Sequence, residues 1–177
     1  VHAQHVKVSY VGKPVLEVPH LALQAGERVL VVGPNASGKT TLLRVLAGYL
    51  KPDEGVVARP GRIACLVAPP ELPPLEVRDM VKDPSLIEAL DLGDRLDRQA
   101  NELSSGLRQK VAIGALLSVD ADLYILDEPL ANLDPESKER AMELILERTS
   151  GKTLIVVLHG EEEWHGRFDR VLTLPVA

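Results

Sequence analysis

Gly33-Pro34-Asn35-Ala36-Ser37-Gly38-Lys39-Thr40 fits the pattern G-x-x-x-x-G-K-[ST] and has the flanks that give the pattern a mechanical meaning. Upstream, Arg28-Val29-Leu30-Val31-Val32 is a short apolar, β-branched run, the mark of a buried parallel strand. Downstream, Leu42, Leu43, Leu46 and Ala47 share one helical face, and Gly48 is a stop signal. In a strand, glycine loop and helix start in that order, backbone N–H groups can wrap a phosphate chain while the positive end of the helix points at the same anion. Gly33 and Gly38 permit the turn and the close approach of backbone to phosphate. Lys39 is placed to reach the β- and γ-phosphates, and Thr40 offers its hydroxyl to Mg²⁺. The stretch therefore implies a nucleoside triphosphate site built from Gly33, Pro34, Asn35, Ala36, Ser37, Gly38, Lys39, Thr40 and Thr41, on an α/β fold.

The rest of the composition sets the bounds of that reading. A chain of 177 residues, 45% apolar and 26% charged, suits one globular domain or one core with a small subdomain. Apolar runs such as Leu154–Leu158 are far below the ~20 residues of a membrane-spanning helix. The opening Val1-His2-Ala3-Gln4-His5 has no basic segment followed by an apolar one, so no secretory signal is expected. The single cysteine, Cys65, excludes an internal disulfide framework and fits a reducing compartment. A net charge of −6 without a basic block argues against nucleic acid as a partner. The expected location is cytoplasmic.

Taken in order, residues 4–10 alternate with the period of a half-exposed strand. Gly12-Lys13-Pro14 then turns into Val15-Leu16-Glu17-Val18, and Leu21-Ala22-Leu23 follows, predicting a small antiparallel sheet beside the parallel one. Tyr10, ending the first strand, is a candidate to stack on a flat base. Val56-Val57-Ala58 and Arg62–Val67 are strands around Pro60-Gly61. The four prolines within Ala68–Leu75 predict a stiff extended loop. Residues 76–102 carry short helical patterns, and a longer helix starts near Ser104 with Val111, Ile113, Leu116, Leu117 and Val119 on its apolar side. Asp122–Leu126 is a second buried strand, delivering Asp127 and Glu128 at its carboxyl end, the edge where open parallel sheets bind ligands. An acidic pair there suits a metal carboxylate beside a phosphate loop. Asp134 caps a further helix with Pro135 at its first position. Thr153–Leu158 is a third apolar strand that hands over His159 on the phosphate side, and residues 168–174 form an edge strand.

The order and spacing of these pieces resemble the nucleotide-binding subunit of ABC transporters over nearly the whole chain. Leu103-Ser104-Ser105-Gly106-Leu107-Arg108-Gln109-Lys110 looks like that family's signature, LSGGQ with its basic-polar-basic tail, standing just before the Walker B strand that ends Leu126-Asp127-Glu128-Pro129. Ala131-Asn132-Leu133-Asp134 looks like the D-loop, with Asp134 its acid. His159 looks like the switch histidine and Tyr10 like the aromatic that stacks on adenine. The resemblance implies a single domain over residues 1–177. Its P-loop NTPase (RecA-like) core would take residues 1–75 and 119–177, with a mostly parallel sheet and a small N-terminal antiparallel β-subdomain. A shortened helical subdomain would cover about 76–118.

It also implies an ATPase working as a head-to-tail dimer, homodimeric or with another ABC ATPase subunit. Lys39 and the loop would hold ATP, while Thr40 and Asp127 hold Mg²⁺. Glu128 would polarise the attacking water and His159 contact the γ-phosphate. Ser104, Ser105 and Gly106 would close over the partner's nucleotide. Work on the membrane would be done through a separate integral membrane permease, which would place the chain peripherally on the cytoplasmic face. Three departures qualify this. Ser105 stands for a signature glycine and predicts a weaker cross-subunit contact, and Leu107 stands for the glutamine. Val67 or Ala68 occupies the place of the Q-loop glutamine. The helical segment is shorter than is usual. The alternatives are a regulatory, catalytically weak half of a heterodimer and a non-transport ABC ATPase.

Overall fold

The computed structural model describes residues 1–160 and 162–176, which form two compact units. The first comprises Val1–Cys65, Ala121–Asp127 and the chain from Gly151 onward; the second comprises Leu66–Asp120 and Glu128–Ser150.

In the first unit, β1 (His2–Tyr10), β2 (Lys13–Ala22) and β4 (Glu54–Ala58) make an antiparallel sheet in the order β2-β1-β4. The sequence separates 15–18 from 21–23, whereas the structure runs them together as β2 through Pro19. β2 lies at the sheet edge, the position in which a sheet tolerates proline. The second sheet has the order β5-β6-β7-β3-β8, with β3 at Arg28–Val32, β5 at Ile63–Leu66, β6 at Leu123–Asp127, β7 at Thr153–Val157 and β8 at Arg170–Thr173. The pairs β6–β7, β7–β3 and β3–β8 are parallel, and β8 is an edge strand as its sequence indicates. Every residue of β6 and β7 is buried, which is why those strands read as unbroken apolar runs and not as alternation.

α1 (Lys39–Ala47) shares one apolar core with both sheets. Its Leu42, Val45 and Leu46 pack with Val29 and Val31 of β3, Ile125 of β6 and Val157 of β7, and with Val6, Val8, Leu16 and Val18 of the antiparallel sheet. Full burial of one such Leu is worth about 2 kcal/mol, so the helix is held by its apolar face more than by propensity. Gly48 ends α1, its amide donating to Val45 O at 3.2 Å.

The second unit holds α2 (Val77–Met80), α3 (Pro84–Ala89), α4 (Ser105–Leu117) and α5 (Pro135–Arg148). It extends beyond the 76–118 segment because α5 packs against α3 and α4. Asp83 caps α3 through Ser85 and receives Arg148 Nη1 of α5 at 2.9 Å. Hydrogen bonds from Ser85 and Arg148 hold the Asp83 carboxyl down at about 2. Asp134 caps α5, accepting from Ser137 N at 2.9 Å, with Pro135 following as the first helical residue. Among the described residues no helix is long and apolar enough to cross a membrane.

Candidate functional site

Both flanks of the loop 33–38 are fixed by burial, Val29 and Val31 before it and Leu42, Val45 and Leu46 after it. Two close approaches then shape the loop. Gly38 has φ 93, and a Cβ there would meet Val15 O at 2.8 Å and Leu16 Cδ1 at 3.2 Å, so β2 braces the loop from behind. A Cβ on Gly33 would meet Leu174 O at 2.6 Å and Ser37 Oγ at 2.7 Å. No side chain caps α1. Its first-turn amides and the positive end of its dipole are thus left for an anion. Ser37 Oγ is buried and has no hydrogen-bond partner among the described residues, a donor suited to a phosphate oxygen.

Lys39 is the first residue of α1 and only 8% exposed. Its ammonium donates to Gly33 O at 2.5 Å and Pro34 O at 2.9 Å, which folds the side chain back along the loop. The next residue, Thr40, donates its hydroxyl to Asp127 Oδ2 at 3.0 Å. Asp127 ends β6 and is buried, and its charge reaches Cys65: burial first, and Asp127 second, push the Cys65 thiol up to about 11. A hydroxyl and a carboxylate this close form a hard-oxygen pair of the kind Mg²⁺ takes together with phosphate oxygens and water. The residues present therefore fit that ion.

The register puts the remaining core candidates on the same edge. Val157 of β7 is paired with Val31 of β3 on one side and Asp127 of β6 on the other. His159, two residues beyond Val157, is exposed there, and Glu128 follows Asp127 directly. Glu128 has φ 47, a left-handed backbone that a non-glycine residue adopts only under constraint and that clusters at functional sites. Ala36 is in the same region with φ 61. Ala36→Gly should relieve that strain and raise the urea-unfolding free energy by about 1 kcal/mol; no gain would mean that the loop takes another backbone in solution. Tyr10 stands at the end of β1, paired with Lys13 and 47% exposed.

In the second unit, Ser104 caps α4, its Oγ accepting from Leu107 N at 3.4 Å, and Ser105 and Gly106 are the first residues of the helix. Asp134 has its carboxyl lowered by the backbone and side-chain hydrogen bonds of Ser137, so it remains charged as a cap.

Residues 16–131 match the family described as ABC transporter. The chain belongs to the ABC transporter family. An uncharacterized ABC transporter ATP-binding protein of Methanocaldococcus jannaschii is 41% identical over 143 residues, 73% of this chain and 24% of that protein. The taurine import ATP-binding protein TauB of Yersinia pestis is 34% identical over 181 residues, covering 87% of this chain and 71% of its own length. The cytochrome c biogenesis ATP-binding export protein CcmA of Gluconobacter oxydans is 36% identical over 156 residues, with 82% and 74% covered. The chain thus spans about a quarter of the archaeal relative's length. Its fold is that of a solved ATP binding subunit of an ABC transporter, with TM-score 0.88, 22% identity, and 98% of this chain and 85% of that one covered. The dimeric post-hydrolysis ATP-binding cassette MJ0796, bound to ADP and Pi, superposes with TM-score 0.83 at 23% identity, covering 98% of this chain and 93% of that one. The P-loop NTPase core with a parallel sheet and a small antiparallel one is as expected.

Two features of this ABC domain stand apart from the sequence reading. Ser105, which stands for a signature glycine, lies in ordinary helical backbone and not in the left-handed region, so its Cβ carries no conformational penalty there. Gln109 is a second such feature, a residue to which the sequence motifs assign no role. It is buried and its Nε2 donates to Pro129 O at 2.9 Å. The signal was available, since Gln109 falls at helical spacing with Ala112, Ile113 and Leu116, a polar residue on an apolar face.

Proposed function

We propose that the chain binds Mg²⁺-ATP at the loop 33–41 and hydrolyses it as one half of a head-to-tail dimer that drives a separate membrane permease. The observation that carries this is the hydrogen bond from Thr40 to Asp127 beside the buried Lys39 ammonium, a metal-ready oxygen pair and a phosphate-seeking cation at the head of one helix. Lys39, the α1 amides and Ser37 Oγ hold the phosphates. Thr40 and Asp127 would hold the metal, which would supply charge neutralisation for the phosphates. Glu128 accepts the proton of the attacking water as its oxygen bonds to the γ-phosphorus and the bond to the bridging oxygen of ADP breaks. His159 hydrogen-bonds the γ-phosphate. Charge neutralisation and positioning supply most of the rate in such phosphoryl transfer. Ser104, Ser105 and Gly106 close over the nucleotide of the partner, a second copy or another ABC ATPase subunit, and Tyr10 stacks on adenine.

The cargo is set by the permease. Relatives of similar identity are named for taurine import and for an export task in cytochrome c biogenesis, so the ATP-binding part alone does not carry cargo identity. Phosphate release from Mg²⁺-ATP by the purified chain, against the same chain in EDTA, tests the reading. We expect turnover with metal and none without it. Equal phosphate release in both would remove the Thr40–Asp127 assignment, and no release from Mg²⁺-ATP would remove the activity.

A further inference from the structure

One buried polar side chain has no part in the steps above. Gln109 is 1% exposed, and its amide N–H reaches the carbonyl of Pro129, the residue that follows Glu128. Burying a primary amide is costly unless it is paired, and an apolar side chain would fill the same space on α4 without that cost. What an apolar side chain cannot do is donate to Pro129 O. A second contact joins the same two segments: a Cβ on Gly106 would meet Asn132 O at 2.9 Å, so the first turn of α4 lies directly against the turn that follows Glu128. That turn has left-handed backbone at Glu128, with φ 47, and at Asn132, with φ 63. Conformations of this kind persist only where the surroundings over-determine them.

We propose that Gln109 is a positioning residue for Glu128, fixing the turn through the Pro129 carbonyl and tying the carboxylate to the first turn of α4. The inference rests on the ATPase reading. It adds that a donor at position 109 sets the placement of Glu128 through the Pro129 carbonyl. The link is specific to a donor at position 109, which separates it from mere packing.

Two substitutions test it by steady-state hydrolysis at varied Mg²⁺-ATP between pH 6 and 8.5, each variant normalised to the unmodified chain. Gln109→Met keeps the shape and removes the donor. Its kcat should fall ~10-fold or more while KM stays within ~3-fold, the signature of an interaction needed for chemistry and not for ground-state binding. Gln109→Glu sets a carboxylate against a carbonyl and donates only when protonated, so its relative kcat should climb as pH falls, with no such rise for Gln109→Met. Thermal unfolding checks that the variants are folded at the assay temperature; if Gln109→Met is not, the pH profile of Gln109→Glu decides alone. Unchanged kcat, kcat and KM failing together, or parallel pH profiles would overturn the proposal. An unmodified chain without turnover sinks the ATPase reading and this inference with it, whereas an active chain indifferent to both substitutions sinks the inference alone.

Discussion

Lys39→Ala removes ATP binding at ordinary assay concentrations: titration calorimetry should show Kd raised ~100-fold or more, with the fold intact by circular dichroism. Lys39 is buried at the head of α1, so its charge is poorly screened and acts at full strength on an anion in the loop. A charge-assisted hydrogen bond contributes about 3 kcal/mol at most, which is ~100-fold in Kd, and a triphosphate makes more than one. The ammonium's present partners are two loop carbonyls, Gly33 O and Pro34 O, and both are exchangeable for phosphate oxygens without moving the backbone. Stability should change little, because those carbonyls can turn to water once the side chain is gone. Lys39→Arg is the sharper control. The planar guanidinium keeps the charge but not the compact head that fits between the loop and α1, so affinity should remain well below that of the unmodified chain. A Kd for Lys39→Ala within ~3-fold of the original would mean the phosphates lie elsewhere.

What the sequence shows and what it hides divide along a physical line. The loop, β3, β6, β7 and α1 are legible because each rests on a local rule: apolar runs for strands buried on both faces, glycines at forced close approaches, and a periodic face on the helix. Asp127 and His159 are legible because parallel strands in one sheet deliver their carboxyl ends to one edge, whatever their separation along the chain. Pairings between distant segments are not visible in this way. Nothing in Val15-Leu16 announces that β2 will stand behind Gly38, nor does β4 announce that it will leave the parallel sheet and pair with β1. Ser105 is the opposite case: it stands for a family glycine, yet the chain there simply begins a helix. Gln109 is legible in part: its helical spacing with Ala112, Ile113 and Leu116 marks it as buried, but only the fold shows that its acceptor is Pro129 O.

Glu128→Gln should leave ATP binding intact and stop turnover, and that combination distinguishes a base from a metal ligand. Glutamine keeps the shape of the side chain and can still hydrogen-bond a water molecule, but it cannot take the water's proton. A positioned general base contributes ~10²–10⁴-fold, so kcat should fall by that factor while KM moves little. Its neighbour in sequence gives the contrast. Asp127 is paired with Thr40, so Asp127→Asn should weaken the hold on Mg²⁺ and be partly offset by raising the metal concentration, whereas Glu128→Gln should not respond to added metal. If ATP also bridges two subunits, a chain that cannot hydrolyse it retains the bridge, and gel filtration of Glu128→Gln with Mg²⁺-ATP should show a dimer that ADP does not support. Near-normal hydrolysis by the variant would take Glu128 out of the chemistry. The left-handed backbone at this residue would then need another cause. Loss of turnover without a nucleotide-dependent dimer would keep Glu128 as the base and remove the shared site, leaving Ser104–Gly106 with no phosphate to meet.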